Sequence, residues 1–196
     1  MDIIMDPKKR KQLPKSAKRV FNGVIFDVWQ WPQKMFDGTT QTFERLSRPD
    51  TVSVIATVGS KILLQTQEQS GRDGAFVSIP GGRIDDGETP LHAAKRELQE
   101  ETGYTSGGWK LWREVTPHTK IIWKLYTFIA RDCIQTAKPS LDSGERITTR
   151  LVTFEKFLKL ADDPHCDAWD LKFELLRAQH DPAFRKKFHS LLFSRL

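Results

Sequence analysis

Twenty-three consecutive residues, Gly82 to Tyr104 (GRIDDGETPLHAAKRELQEETGY), constrain this chain more than any other stretch. Thr89 can cap a helix, and Pro90 suits a first turn, where no backbone donor is needed. The run that follows, His92 to Glu101, is made of good helix formers, and Gly103 stands where a left-handed residue ends a helix. The spacing therefore predicts a helix from Pro90 to Thr102. On that helix Leu91, Ala94 and Leu98 share a face that would pack on a core. Glu97, Glu100 and Glu101 stand at i, i+3 and i+4 and share another.

Three carboxylates on one patch repel each other unless a cation sits among them. Hard oxygen donors of this kind suit Mg²⁺ or Mn²⁺. Such an ion neutralises phosphate charge and acidifies a bound water. Ahead of the helix, Pro80-Gly81-Gly82 lets the backbone approach a ligand closely. A Glu-rich surface helix is the bland alternative, and the fixed positions taken together weigh against it: Gly82, Glu88 after five residues, then after seven more Arg96-Glu97-Leu98, with Glu100, Glu101 and Gly103 beyond.

This pattern resembles the Nudix box, Gly-x5-Glu-x7-Arg-Glu-U-x-Glu-Glu-x-Gly-U, where U is a bulky aliphatic residue; Tyr104 replaces the last aliphatic. The resemblance implies an α/β/α sandwich with a mixed sheet that hydrolyses a nucleoside diphosphate linked to another group. It implies Glu97, Glu100 and Glu101 as metal ligands, with the Gly82 carbonyl as a further one, and Glu88 paired with Arg96 to hold loop against helix.

Of the 31 Lys and Arg and 25 Asp and Glu, residues 1–19 hold seven and two, which leaves 24 and 23 for a nearly neutral body. The basic leader reads as a solvated, flexible segment rather than a nucleic-acid contact, since no aromatics interleave its charges. No apolar run is long enough to span a membrane, and the start of the chain does not read as a signal peptide. Cys133 and Cys166 show no metal or disulfide spacing and read as free thiols of a cytoplasmic protein.

The expected organisation is a leader over 1–19, a small antiparallel hairpin or sheet over 20–48, a catalytic domain over 49–165 and C-terminal helices over 166–196. Within it, residues 20–31 read as a strand interrupted by Pro32, and 39–46 as its return. Further strands are expected over 51–58, 61–65, 75–79, 109–115, 121–131 and 147–152, with loops over 67–74 and 137–145. Helices are expected from Phe154 (capped by Thr153), over 169–179 and over 182–193.

The leading hairpin, its Phe43-Glu44-Arg45 segment and Pro117 after the box resemble the ADP-ribose pyrophosphatase branch. That resemblance implies a homodimer exchanging its leading sheets, and an aromatic stacked on the base. Trp29 and Trp31, two apart on one strand face, fit that role or bury into the sheet. The branch's Glu two or three residues ahead of the box glycines is absent from Ser78-Ile79-Pro80-Gly81-Gly82, and its Gln-x-Arg reads Gln67-Glu68-Gln69, with Arg72 as the later substrate-binding arginine. In that branch the general base comes from a loop after the box, which points to Glu145, then Asp142, with Glu100 as the box alternative. The substrate expected is a small nucleotide, ADP-ribose or a related nucleoside diphosphate sugar. Competing readings are a house-cleaning hydrolase of nucleoside triphosphates or dinucleotides, and a Nudix-fold module that binds without cleaving.

Overall fold

A computed structural model describes residues 13–193. The basic residues Lys8, Lys9, Arg10 and Lys11 lie outside them. The described chain divides into two units: the residues up to Pro49 together with Thr116–Trp123, and Asp50–Val115 together with Lys124 onward.

The first unit is a four-stranded sheet in the order β1 (Lys18–Asn22), β2 (Asp27–Lys34), β3 (Thr40–Ser47), β10 (Ile121–Ile122). The single strand expected over 20–31 is two, divided at Gly23–Phe26, and Lys18 and Arg19 of the basic segment open the first. Pro32 does not interrupt β2: from Trp31 to Lys34 the strand pairs with β3 alone, so no partner on the other side needs the missing N–H.

The second unit is built on a seven-stranded mixed sheet. Its path is β13 (Glu145–Thr153), β5 (Lys61–Gln69), β4 (Thr51–Val58), β11 (Leu125–Arg131), β9 (Gly108–Val115), with β6 (Phe76–Ser78) on β5 and β7 (Gly81–Arg83) on β4. β11 runs parallel to β4, and the other pairings are antiparallel. A two-stranded ribbon of β8 (Tyr104–Thr105) and β12 (Ile134–Gln135) stands beside it.

Helices cover both faces, and alternation along the strands decides which residues meet which helix. Val52, Val54, Ala56, Leu63, Phe128 and Ala130 pack with Ala93, Ala94 and Leu98 of α1 (Pro90–Thr102). On the opposite face Ile55, Ile62, Leu64 and Ile129 pack with the C-terminal helices. These are α2 (Phe154–Leu158), α3 (Lys172–His180) and α4 (Pro182–Phe193), which contribute Phe157, Leu175, Phe188 and Leu192. Burial on both faces explains why β4 reads as a nearly unbroken apolar run. The result is the expected α/β/α sandwich with a mixed sheet, an antiparallel hairpin ahead of it and helices after it.

Several boundaries differ from expectation, and β13 begins at Glu145, inside the stretch expected as a loop. The 121–131 run splits into β10 and β11, because the chain leaves the first unit at Trp123 and enters the second at Lys124. β5 continues to Gln69, through residues expected to start a loop.

Candidate active site

The box helix forms as its sequence dictates. Thr89 Oγ1 accepts from the His92 N–H at 3.3 Å, Pro90 occupies the first turn, and Gly103, at φ 73°, donates its N–H to Gln99 O at 2.8 Å. The preceding loop is clamped to it by one guanidinium. Arg96 Nε donates to Glu88 Oε1 at 3.1 Å, and Nη2 to Glu88 Oε2 at 3.0 Å and to Arg83 O at 2.9 Å. The Asp85 N–H donates to Glu88 Oε2 at 3.2 Å. The hydrogen bonds from Arg96 hold the Glu88 carboxyl below its usual range.

Arg96 also reaches along its own helix, with Nη1 2.9 Å from Glu97 Oε1 and 3.1 Å from Glu100 Oε2. The three box carboxylates have different surroundings. Glu100 is exposed, its side chain at 48%. Glu97 is mostly buried and lies against Gly82, so closely that a Cβ there would stand 2.3 Å from Glu97 Oε1. Glu101, 5% exposed, points at the sheet, where Gln65 Nε2 and the Gly81 N–H donate to its Oε2 at 3.0 and 2.9 Å.

Glu145, at the first position of β13, sits opposite Gln69 of β5, whose Nε2 is 3.5 Å from Glu145 Oε1. Burial, above all, pushes the Glu101 carboxyl up to about 8, and repulsion from Glu97 and Glu145 adds to it. Burial likewise raises Glu97, which Glu100 and Glu145 also push up and Arg96 holds down. Glu145 is raised by burial and by Asp142, whose backbone carbonyl accepts from the Glu145 N–H at 3.1 Å. Glu100 and Glu145 thus both act on Glu97, and Glu97 and Glu145 on Glu101, while Glu100 is the most exposed of the three box carboxylates.

Among the described residues, no group of three or more His, Cys, Asp or Glu side chains stands in coordinating arrangement. The chemistry of the donors still fits a hard divalent cation: carboxylate oxygens, Glu101 buried and Glu97 beside a glycine whose missing Cβ makes room for it.

The remaining predicted residues have other neighbours. Arg72 is paired with Asp167 at 2.9 Å and lies 3.7 Å over the Phe76 ring. Trp31, 6% exposed, packs at 5.3 Å on Phe43, whereas Trp29 is half-buried and donates its indole N–H to Ser47 Oγ at 2.9 Å. Sequence reasoning missed Gln65, Gln67 and Ser78, which join the buried network behind Glu101. Their signal was present in the glutamines at 65, 67 and 69, which alternate on one face of a strand.

The NUDIX domain model matches residues 47–170, more than half of the chain. The chain belongs to the Nudix family. It is 30% identical over 152 residues to an ADP-ribose pyrophosphatase of Bacillus subtilis, covering 75% of this chain and 81% of that one. A methanol dehydrogenase activator of Bacillus methanolicus is 34% identical over 89 residues, 45% of this chain and 48% of that one. Among solved structures, an ADP compounds hydrolase superposes with a TM-score of 0.69 at 20% identity, over 88% of this chain and 98% of that one, a likeness of fold. The chain is therefore a Nudix hydrolase, similar to ADP-ribose pyrophosphatase, with the expected fold. No helix among the described residues is long and apolar enough to cross a membrane.

Proposed function

We propose that this Nudix hydrolase cleaves the pyrophosphate of ADP-ribose or a related nucleoside diphosphate sugar, giving a nucleoside monophosphate and a sugar phosphate. The observation that carries this reading is the geometry of the box: Glu97 lies against Gly82, Glu101 accepts from the Gly81 N–H and Gln65, and Arg96 clamps Glu88. Similarity to the Bacillus subtilis ADP-ribose pyrophosphatase over most of both chains supports the substrate class.

Glu97, Glu100 and Glu101, with the Gly82 carbonyl, are the residues that would hold Mg²⁺ or Mn²⁺. When bound, such an ion offsets pyrophosphate charge and acidifies water. Glu88 and Arg96 fix the loop that carries Gly82 against the helix that carries the carboxylates. Glu145 is the general base that takes the proton of the attacking water. Its raised carboxyl supports this, because a proton acceptor works best when its pKa is nearer the operating pH. Asp142, whose charge helps raise Glu145, and Glu100 are the alternative bases. Of the two leading tryptophans, the half-buried Trp29 is assigned to stacking on the base.

The homodimer proposed from the family resemblance would use the leading sheet. Val20, Phe21 and Ile25, each more than half exposed, support an apolar contact there. The cytoplasm is the proposed compartment, and the two free, buried thiols support it.

The test is mass-resolved hydrolysis with Mg²⁺ of ADP-ribose, ADP-glucose, NADH, diadenosine polyphosphates and nucleoside triphosphates, with Glu101→Gln in parallel. Conversion of ADP-ribose to AMP and ribose 5-phosphate, lost in the variant, is the expected result. Preferential consumption of triphosphates would replace the substrate class.

A further inference from the structure

We propose that Gln65, Gln67 and Gln69 form a positioning ladder that fixes the Glu101 carboxylate for cation binding, an inference that rests on the metal-holding role given to Glu101 above. The three glutamines stand at alternate positions of β5 and so face the same side of the sheet as α1. Gln65 and Gln67 are 0% and 4% exposed. Unpaired amides buried this deeply are costly, so their bonds dictate their orientation.

The bonds run in one direction. Gln69 Nε2 donates to Gln67 Oε1 at 3.2 Å, Gln67 Nε2 to Gln65 Oε1 at 2.7 Å, and Gln65 Nε2 to Glu101 Oε2 at 3.0 Å. Ser78 ties the middle of the ladder: its hydroxyl donates to Gln65 Oε1 at 3.2 Å and accepts from Gln67 Nε2 at 2.8 Å. The Gln65 carbonyl thus receives two donors, which leaves its amide NH₂ to face the carboxylate. A flipped Gln65 would set its carbonyl against Glu101 and its NH₂ against the donors from Gln67 and Ser78.

With the Gly81 N–H on the same oxygen, Glu101 Oε2 is fully engaged, and Oε1 is the oxygen offered to a cation. The far end of the ladder, Gln69, is also the group facing Glu145. One row of neutral amides on β5 therefore reaches from the box carboxylate on α1 to the carboxylate at the start of β13, without adding charge to the site.

The experiment measures Mn²⁺ affinity of the full chain by the loss of the free-ion paramagnetic resonance signal, without substrate, and beside it the Mg²⁺ concentration for half-maximal rate. The variants are Gln65→Met, which keeps the shape and removes the donor, and Ser78→Ala, which loosens Gln65 while leaving Glu101 its partner. Thr66→Val, on the other face of β5, is the control. Loss of an outer partner of a metal ligand weakens affinity roughly 10- to 100-fold. That loss is expected for Gln65→Met, with a smaller loss for Ser78→Ala, no change for Thr66→Val and an unchanged KM for the nucleotide. If wild type binds Mn²⁺ and both ladder variants bind it equally well, the ladder is overturned and the metal site stands. An equal loss in Thr66→Val also overturns it. If wild type binds no Mn²⁺, the metal reading itself falls.

Discussion

Arg96 and Glu88 are joined by two near-parallel hydrogen bonds, Nε to Oε1 at 3.1 Å and Nη2 to Oε2 at 3.0 Å, across eight residues of chain. The paired geometry fixes the angle as well as the distance between loop and helix, which a single bond would not do. Arg96→Lys keeps the charge but cannot reproduce the fork. It is expected to lower the unfolding free energy by about 2 kcal/mol, the worth of hydrogen bonds to charged groups. Because the same guanidinium also touches Glu97 and Glu100, activity should fall more steeply than stability. Denaturant unfolding and kcat/KM measured on the same variant check both.

Gly81 and Gly82 are adjacent, and their replacement by Ala is expected to fail in different ways. A Cβ on Gly81 would meet the Val52 carbonyl oxygen at 2.2 Å, a rigid backbone atom of β4. Gly81→Ala should therefore unfold early. The atoms nearest a Cβ on Gly82 are those of the Glu97 carboxylate, the end of a side chain that can swing away. Gly82→Ala should melt near wild type yet lose divalent-ion affinity and activity, because Glu97 must leave its place. Calorimetric melting and metal titration of the two variants separate the outcomes.

Features written in adjacent residues were legible without the structure. Thr89, Pro90 and Gly103 act within one turn of their own helix end, so the bounds Pro90–Thr102 follow from local chemistry. The Glu88–Arg96 pair follows from family resemblance, and the two side chains stand 3.0 Å apart. What could not be read depends on neighbours distant in sequence. Gln67 and Gln69 look like loop residues until the opposing Ile147 and Glu145 of β13 extend β5 past Gln65. The 121–131 run looks like one strand because its apolar character is continuous, and only the passage from one unit to the other at Trp123–Lys124 divides it. Helical spacing placed Glu97, Glu100 and Glu101 on one face, and it could not show that Glu101 is buried against a glutamine while Glu100 is exposed.

That difference within the box makes its own prediction. Glu101→Gln removes the buried carboxylate held by Gln65 and the Gly81 N–H and should reduce kcat on the order of 10²-fold or more, the scale for losing a preorganised electrostatic group. Glu100→Gln removes a rim carboxylate already paired with Arg96 and should cost less. A kcat for Glu100→Gln as low as that of Glu101→Gln would mean that the exposed carboxylate takes an equal part in holding the ion. Steady-state rates at saturating Mg²⁺ decide between them.

Asp170 is buried in the turn that leads into α3, and burial pushes its carboxyl above the usual range while Arg113 of β9 partly offsets this. Thr127 Oγ1 donates to Asp170 Oδ2 at 3.4 Å, Ser53 Oγ to Thr127 Oγ1 at 3.2 Å, and Arg113 is itself drawn to Glu174 at 3.6 Å. With the folded-state pKa above the unfolded one, the folded protein keeps a proton over a window just above the ordinary Asp range, where the unfolded chain has lost it. Folding then takes up a proton, so this group's contribution to stability falls as pH rises through that window and is flat below it. Asp170→Asn keeps an acceptor for Thr127 and removes the titration. Its melting temperature should equal or exceed wild type at neutral pH, and the gap between the two should close as pH is lowered toward the ordinary Asp range. Melting curves of both proteins from acidic to neutral pH check this, and a variant less stable than wild type at neutral pH would show instead that the Asp170–Arg113 attraction outweighs the cost of burial.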